Sequence, residues 1–262
     1  LYIINRMEIY IYAFFVGLII GSFLNMLIYR LPIGISLISL KRSICPHCNY
    51  KISWHENVPV LSFLLLKGRC SSCNNKISII YPVVEIVTGL VTMLLLNKHQ
   101  VNIEFGVLVA SLFYVLIVLS FIDLKYKSVP DYLLIVAIIL ALIVGNILDI
   151  LIFMGGFLLL EWITRFYIQN IKSKITKNKE LESQRALGEG DIPIAGVIGG
   201  LLGIELGITA ILFATAIALI PALYNLFLKK EIETPFIPFL TLGLFIVYIT
   251  DTNIINLIFP QL

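Results

Sequence analysis

Long apolar runs, each near the ~20 residues needed to cross a bilayer, recur from end to end of this 262-residue chain with only short polar breaks between them. They fall near residues 8–29, 82–97, 105–122, 131–148, 151–168, 192–206, 207–228 and 236–258. Composition agrees, since 59% of the residues are hydrophobic and 13% charged, against about 25% charged in soluble domains. Mean hydropathy is +0.99. In lipid the backbone must satisfy its own polar groups, and runs of this length do so as helices. The expectation is an all-α polytopic membrane protein with about eight transmembrane helices. The sixth and seventh runs merge around residues 203–207, so seven is the alternative. The first run lacks a basic start and a small-residue cleavage site and reads as a first helix, not a cleavable signal. Met7 is a candidate start.

Basic residues set the orientation, because Lys and Arg collect on the cytoplasmic side. With eight spans, 17 of the 19 basic residues share one side, leaving only Arg6 and Lys98 opposite. That predicts both termini outside a bacterial inner (plasma) membrane. It puts the 30–81 and 169–191 loops in the cytoplasm, where basic side chains meet anionic headgroups. Nothing in the charge pattern points to nucleic acid. The expected organisation is a first helix (1–29), a cytoplasmic loop (30–81) and a transmembrane core (82–262).

All four cysteines lie in the first loop, as Cys45-Pro-His-Cys48 and Cys70-Ser-Ser-Cys73. Two such pairs, brought together by the chain between them, give four thiolates for a closed tetrahedral zinc site. The competing reading, disulfides, is disfavoured in a reducing cytosol. His47 and His55 are then superfluous as ligands. A loop this small has little core, so a metal staple makes physical sense.

Two aspartates stand at the ends of apolar runs. Asp123 closes one, and Asp191 opens another directly after Gly188-Glu189-Gly190. A carboxylate at a membrane boundary needs a partner, water or a chemical task. Two of them sharing one proton can hydrolyse a peptide, one activating water and the other donating to the scissile carbonyl. The plainer alternative is that both are helix-boundary residues, since Asp caps helices well. Asp131, after Pro130, reads as such a cap.

With these residues assembled, the chain resembles the type IV prepilin peptidases (leader peptidase with N-methyltransferase). The resemblance runs through Gly21-Ser-Phe-Leu-Asn25, Tyr29-Arg-Leu-Pro32, the first Cys pair, Glu56-Asn-Val-Pro59, Leu66-Lys-Gly-Arg-Cys70 and Tyr81-Pro-Val-Val-Glu85. It ends with Asp123 in an Asp…Pro-Asp context and Asp191 in a Gly-x-Gly-Asp motif supported by Gly188 and Gly190. It implies cleavage of prepilin or pseudopilin leaders after a glycine, by Asp123 and Asp191, as in type IV pilus and type II secretion systems. It also implies methylation of the new amine with S-adenosylmethionine, with Gly68 and Arg69 as candidates for that site. Departures are Arg185 in place of Glu, Pro193 in place of Lys, and Pro235-Phe-Ile-Pro-Phe239 in place of Pro-Phe-Gly-Pro-Phe. They bear on substrate detail and on methyl transfer. No dinucleotide-binding fingerprint is present, so methyl transfer rests on the resemblance alone.

Other features have modest readings. Glycines 199, 203 and 207, like 17 and 21, recur at the four-residue spacing that lets helices approach in lipid. Ser22 and Asn25 read as interhelical hydrogen-bonding groups. Glu161, inside an apolar run, lies near enough to Arg165 to reach the interface. The 169–187 stretch reads as a solvated linker, with a gate near Asp191 as the alternative. Rival classes are a peptidase without methyltransferase activity, an ion-coupled transporter and a membrane scaffold whose zinc loop docks a partner.

Overall fold

A computed structural model describes residues 2–34, 43–172, 187–228 and 234–253. The 173–186 part of the expected linker, including Arg185, lies outside the described residues. Helices dominate: α1 (Tyr2–Arg30), α2 (Leu61–Leu65), α3 (Ile80–Lys98), α4 (Ile103–Tyr126), α5 (Asp131–Val144), α6 (Ile147–Phe166), α7 (Asp191–Phe227) and α8 (Ile237–Thr250). A 3-10 turn at Trp54–Asn57 precedes α2, and a π-helical turn, Tyr167–Lys172, continues α6. Extended pairing among the described residues is limited to two isolated bridges, Ile44 with Lys51 and Arg69 with Lys76.

Five helices are long and apolar enough to cross a bilayer: Glu8–Arg30, Ile80–Lys98, Ile103–Tyr126, Ile147–Lys172 and Asp191–Asn225. The fourth and eighth expected runs prove shorter, at 14 residues each, or about 21 Å of helix. Gly145 ends α5, and Asn146 caps α6 by accepting the Leu148 N–H (2.9 Å). Asp251, in the left-handed region at φ 52°, ends α8. Pro130, not Asp131, occupies the N-cap of α5, and Asp131 is its first helical residue.

The chain forms two compact units, Leu1–Ile122 and Asp123–Leu262. In the first, α1 and α3 pack antiparallel through the small residues singled out in the sequence. Gly17 faces Gly89 and Thr92, while Gly21 faces Glu85 and Thr88. Asn25 Nδ2 donates to the Tyr81 carbonyl (3.0 Å), and Thr92 Oγ1 pairs with the Tyr114 hydroxyl of α4 (2.8 Å). In lipid such close approach gains dispersion contacts that long side chains would block.

In the second unit, α7 packs against α5, α6 and α8. Its 37 residues would extend about 55 Å as one straight helix, well beyond a bilayer. Gly203, at φ 74° and ψ −174°, interrupts it. The packing shows a reversal at that point. Gly199 and Gly207 both press on the ring of Phe153, although eight helical residues would separate them by about 12 Å. Gly190, before α7, touches Ile237 at the start of α8, whereas Glu205 accepts from Asn253 just beyond the end of α8 (3.1 Å). The stretch before Gly203 thus runs parallel to α8 and the stretch after it antiparallel. The three glycines make a helical hairpin clasped on α6, more than the plain packing stripe the spacing suggests. The acid within α6 is also accounted for, because Glu161 accepts from Arg165 one turn away.

Candidate active site and metal centre

The cysteine loop is built from two copies of one knuckle. Cys45-Pro-His-Cys48-Asn49-Tyr50-Lys51-Ile52-Ser53 and Cys70-Ser-Ser-Cys73-Asn74-Asn75-Lys76-Ile77-Ser78 share the pattern Cys-x-x-Cys-Asn-x-Lys-Ile-Ser. Each folds alike. The first Cys N–H donates to the carbonyl five residues on (Tyr50, Asn75), and the Asn N–H donates back to the Cys carbonyl (Asn49 to Cys45, Asn74 to Cys70). Both asparagines take positive φ, 56° and 61°, a conformation Asn tolerates better than most residues. The repeat is legible in the sequence beyond the Cys spacing alone.

The two knuckles bring all four sulfurs within 4.8 Å of one another, with Cys45 and Cys73 Sγ 3.9 Å apart. A zinc ion with 2.3 Å Zn–S bonds sets tetrahedral S–S separations of about 3.8 Å, so the donor set fits a metal ion. None of the four is in a disulfide. The Asn75 backbone N–H favours the Cys73 thiolate, but desolvation and the sulfurs of Cys48, Cys70 and Cys45 outweigh it and push that thiol up to about 11. Crowded thiols of this kind ionise readily only when a cation displaces their protons. Glu56, just before Asn-Val-Pro59, ties the loop together. It accepts the Ser53 N–H (2.9 Å), and hydrogen bonds from Ser71 in the second knuckle, then from Ser53, hold its carboxyl below the usual range.

Gly68 and Arg69 belong to the turn that starts the second knuckle. Gly68 has φ +66°, its N–H donates to the Phe63 carbonyl, and a Cβ there would meet the Phe63 ring at 3.0 Å. Arg69 is exposed and bridged to Lys76. The Phe63 ring packs on the side of Gly68 where a Cβ would stand.

Asp123 lies in the last turn of α4 and Asp191 is the first residue of α7. Both are buried, at 8% and 6% exposure. The Gly188 N–H donates to Asp191 Oδ2 (3.0 Å), and the Asp191 N–H returns a bond to the Gly188 carbonyl (3.1 Å). This tight turn favours glycine, since a Cβ at residue 188 would stand 3.0 Å from the same carboxylate oxygen and push it aside. A Cβ at residue 190 would crowd Val129 and Ile237. The Ile237 backbone N–H, at the start of α8, is directed at the Asp123 carboxyl. Asp123 is close enough for its charge to act on Asp191. The fold thus brings together the two carboxylates the sequence singled out, Asp191 bonded by the Gly188 N–H and Asp123 facing the Ile237 N–H. Of the groups around the two acids, only the glycines stand out in the sequence. Ile237 stands in the Pro-Phe-Ile-Pro-Phe stretch, but nothing in the sequence ties its N–H to Asp123.

Apolar helices of bilayer length, with a four-cysteine cluster and a pair of buried acids, define a multi-pass membrane protein. Residues 15–99 match the Bacterial Peptidase A24 N-terminal domain, and residues 110–223 match the Type IV leader peptidase family. A protein of Neisseria gonorrhoeae named prepilin leader peptidase/N-methyltransferase is 30% identical over 265 residues, covering 91% of this chain and 89% of that protein. Proteins of the same name from Vibrio cholerae (34% identity over 216 residues; 78% and 82% covered) and Bacillus subtilis (30% over 251; 93% and 95%) align similarly. No solved structure gives a significant match. The chain belongs to the prepilin leader peptidase/N-methyltransferase family.

Proposed function

We propose that this protein is an intramembrane aspartyl endopeptidase that removes the leader of type IV prepilins or pseudopilins after its glycine. The observation that carries the reading is the pair of buried carboxylates, Asp123 and Asp191, within electrostatic reach of each other, with Asp191 anchored by the Gly188 N–H. Like charges this close favour retention of one proton by the pair. One carboxylate then takes a proton from water as it attacks the scissile carbonyl, and the other donates to the carbonyl oxygen. The Gly188 turn and the start of α8 keep both acids oriented, so little reorganisation is required at the moment of reaction.

The reversal at Gly203 supports eight crossings, with the two short helices α5 and α8 counted as spans. The one-sided basic residues support an inner-membrane location, a cytoplasmic active site and both termini outside. In the 30–81 loop, Cys45, Cys48, Cys70 and Cys73 would hold a zinc ion. A closed four-thiolate shell has no open coordination position, so its contribution is to cross-link the knuckles.

Methylation of the new amine with S-adenosylmethionine is proposed from the relatives' names. When bound, that cofactor would supply the methyl group. Gly68 and Arg69, in the turn that starts the second knuckle, are the candidates for the methyl-transfer site by resemblance.

The test is to reconstitute the purified protein with a prepilin and S-adenosylmethionine and weigh the products. A cut after the leader glycine is the expected result, and an uncut prepilin overturns the peptidase reading. A methyl increment on the mature chain separates the bifunctional protein from the peptidase alone.

A further inference from the structure

The 58–66 stretch sits deep for part of an extramembrane loop. Its depth follows from the antiparallel α1–α3 pair. Asn25 bonds to Tyr81, which marks the level at which α3 begins. The Val60 N–H donates to Glu85 Oε2 (2.8 Å), and Glu85 lies about 7 Å down α3 from Ile80 at 1.5 Å per residue. Residues 58–61 and Leu64 also line an apolar groove of about 400 Å³ with Phe15, Leu18 and Ile19 of α1. Leu18 and Phe15 are roughly 10 and 15 Å along α1 from the Asn25 level. Half of a bilayer's hydrocarbon core is about 15 Å. With the hydrocarbon edge set at the start of α3, the first residue of that apolar helix, the segment lies at the depth of acyl chains.

Its chemistry suits that depth. Leu61, Leu64 and Leu65 are exposed, Leu65 at 73%, and their side continues the exposed apolar face of α1 at Phe15 and Ile19. The backbone is satisfied internally, as irregular structure within a membrane requires. Val58 N–H donates to Ser62 Oγ, Val60 to Glu85, Leu61 to Pro59, Ser62 to Val58, Leu64 to Val60, Leu66 to Ser62 and Gly68 to Phe63. Buried Ser62 in turn donates to the His55 carbonyl (2.8 Å). Trp54, exposed at the entry to the segment, is the residue type that favours the headgroup level.

We infer that residues 54–66 form a re-entrant anchor, with Leu61, Leu64 and Leu65 inserted among the acyl chains of the leaflet on the cysteine-loop side. The anchor is hung from Glu85 and holds the metal knuckles against the membrane surface. The occupant of the groove and the leucine face is lipid, because the surface is wholly apolar, continuous with the exposed apolar side of a helix of bilayer length, α1, and at acyl-chain depth. The inference is independent of the peptidase reading.

The test uses the full chain in vesicles, with Trp54 and Trp162 replaced by Phe and a single tryptophan introduced as Leu64→Trp or, separately, Leu65→Trp. Metal content reports that the loop is folded. Both probes should emit at blue-shifted wavelengths and lose most of their intensity in vesicles of dibrominated phosphatidylcholine, while iodide has little effect. A Lys51→Trp control in the first knuckle should behave oppositely. Quenching by iodide but not bromolipid overturns the anchor. Shielding from both assigns the face to a protein partner and overturns it too. If the variants lose metal, a lipid-tail diazirine photolysed with the unaltered protein decides the matter: adducts on residues 58–66 are expected, and their absence contradicts the inference.

Discussion

Gly188 carries an unusual burden for a residue with no side chain. Its N–H holds Asp191 Oδ2, and the site of its missing Cβ lies 3.0 Å from that oxygen. Gly188→Ala therefore displaces the carboxyl while leaving its chemistry intact. A shift of about 1 Å in a catalytic group costs on the order of 100-fold in rate; the smaller displacement needed here should lower leader cleavage by roughly 10-fold while the melting temperature stays near the parent's. An alanine variant cleaving at the parent rate would show that the turn does not orient Asp191. The cysteines make a second expectation at this scale. Zinc uptake by the metal-free loop should release ~4 protons at neutral pH, because each thiolate ligand must lose one. Calorimetry in buffers of different ionisation enthalpy counts them, and Cys73→Ser should abolish tight uptake. Proton release near zero would rule out four thiolate ligands.

Among the elements, α7 is the one whose form hangs on a single position. Gly203 occupies a backbone region nearly closed to residues with a Cβ, and forcing another residue into it costs about 1–3 kcal/mol. Gly203→Ala should lower thermal stability in detergent micelles, and D-alanine, which tolerates positive φ, should restore most of it. An unshifted transition in Gly203→Ala would contradict the hairpin. This element also shows where sequence reading stops. The apolar runs locate the helices well because hydrophobic length is a local property. The Gly199-Gly203-Gly207 spacing is equally local, but its use is not: nothing near residue 203 indicates that Phe153, some 50 residues earlier, sits between its two neighbours. Likewise Tyr81-Pro-Val-Val-Glu85 marks the entry to α3, while the bond from Val60 to Glu85 that lowers a loop into the membrane is set only by packing. The two acids and four cysteines were legible because charge in lipid and paired thiols are informative in themselves.

Across the whole molecule, the two units hold separate chemistries. The first contains the four-cysteine knuckles, and the second contains Asp123 and Asp191 with the Gly188 turn that holds Asp191. That separation lets the central claim be tested without disturbing the rest. Asp123→Asn and Asp191→Asn keep side-chain size and remove only the ionisable group. The decisive measurement is the initial rate of prepilin leader cleavage by each variant in lipid vesicles, with zinc content determined on the same samples. Loss of cleavage in both variants, with zinc retained at the parent level, is the expected result. Cleavage at an appreciable fraction of the parent rate by either variant with its metal loop intact would contradict the account.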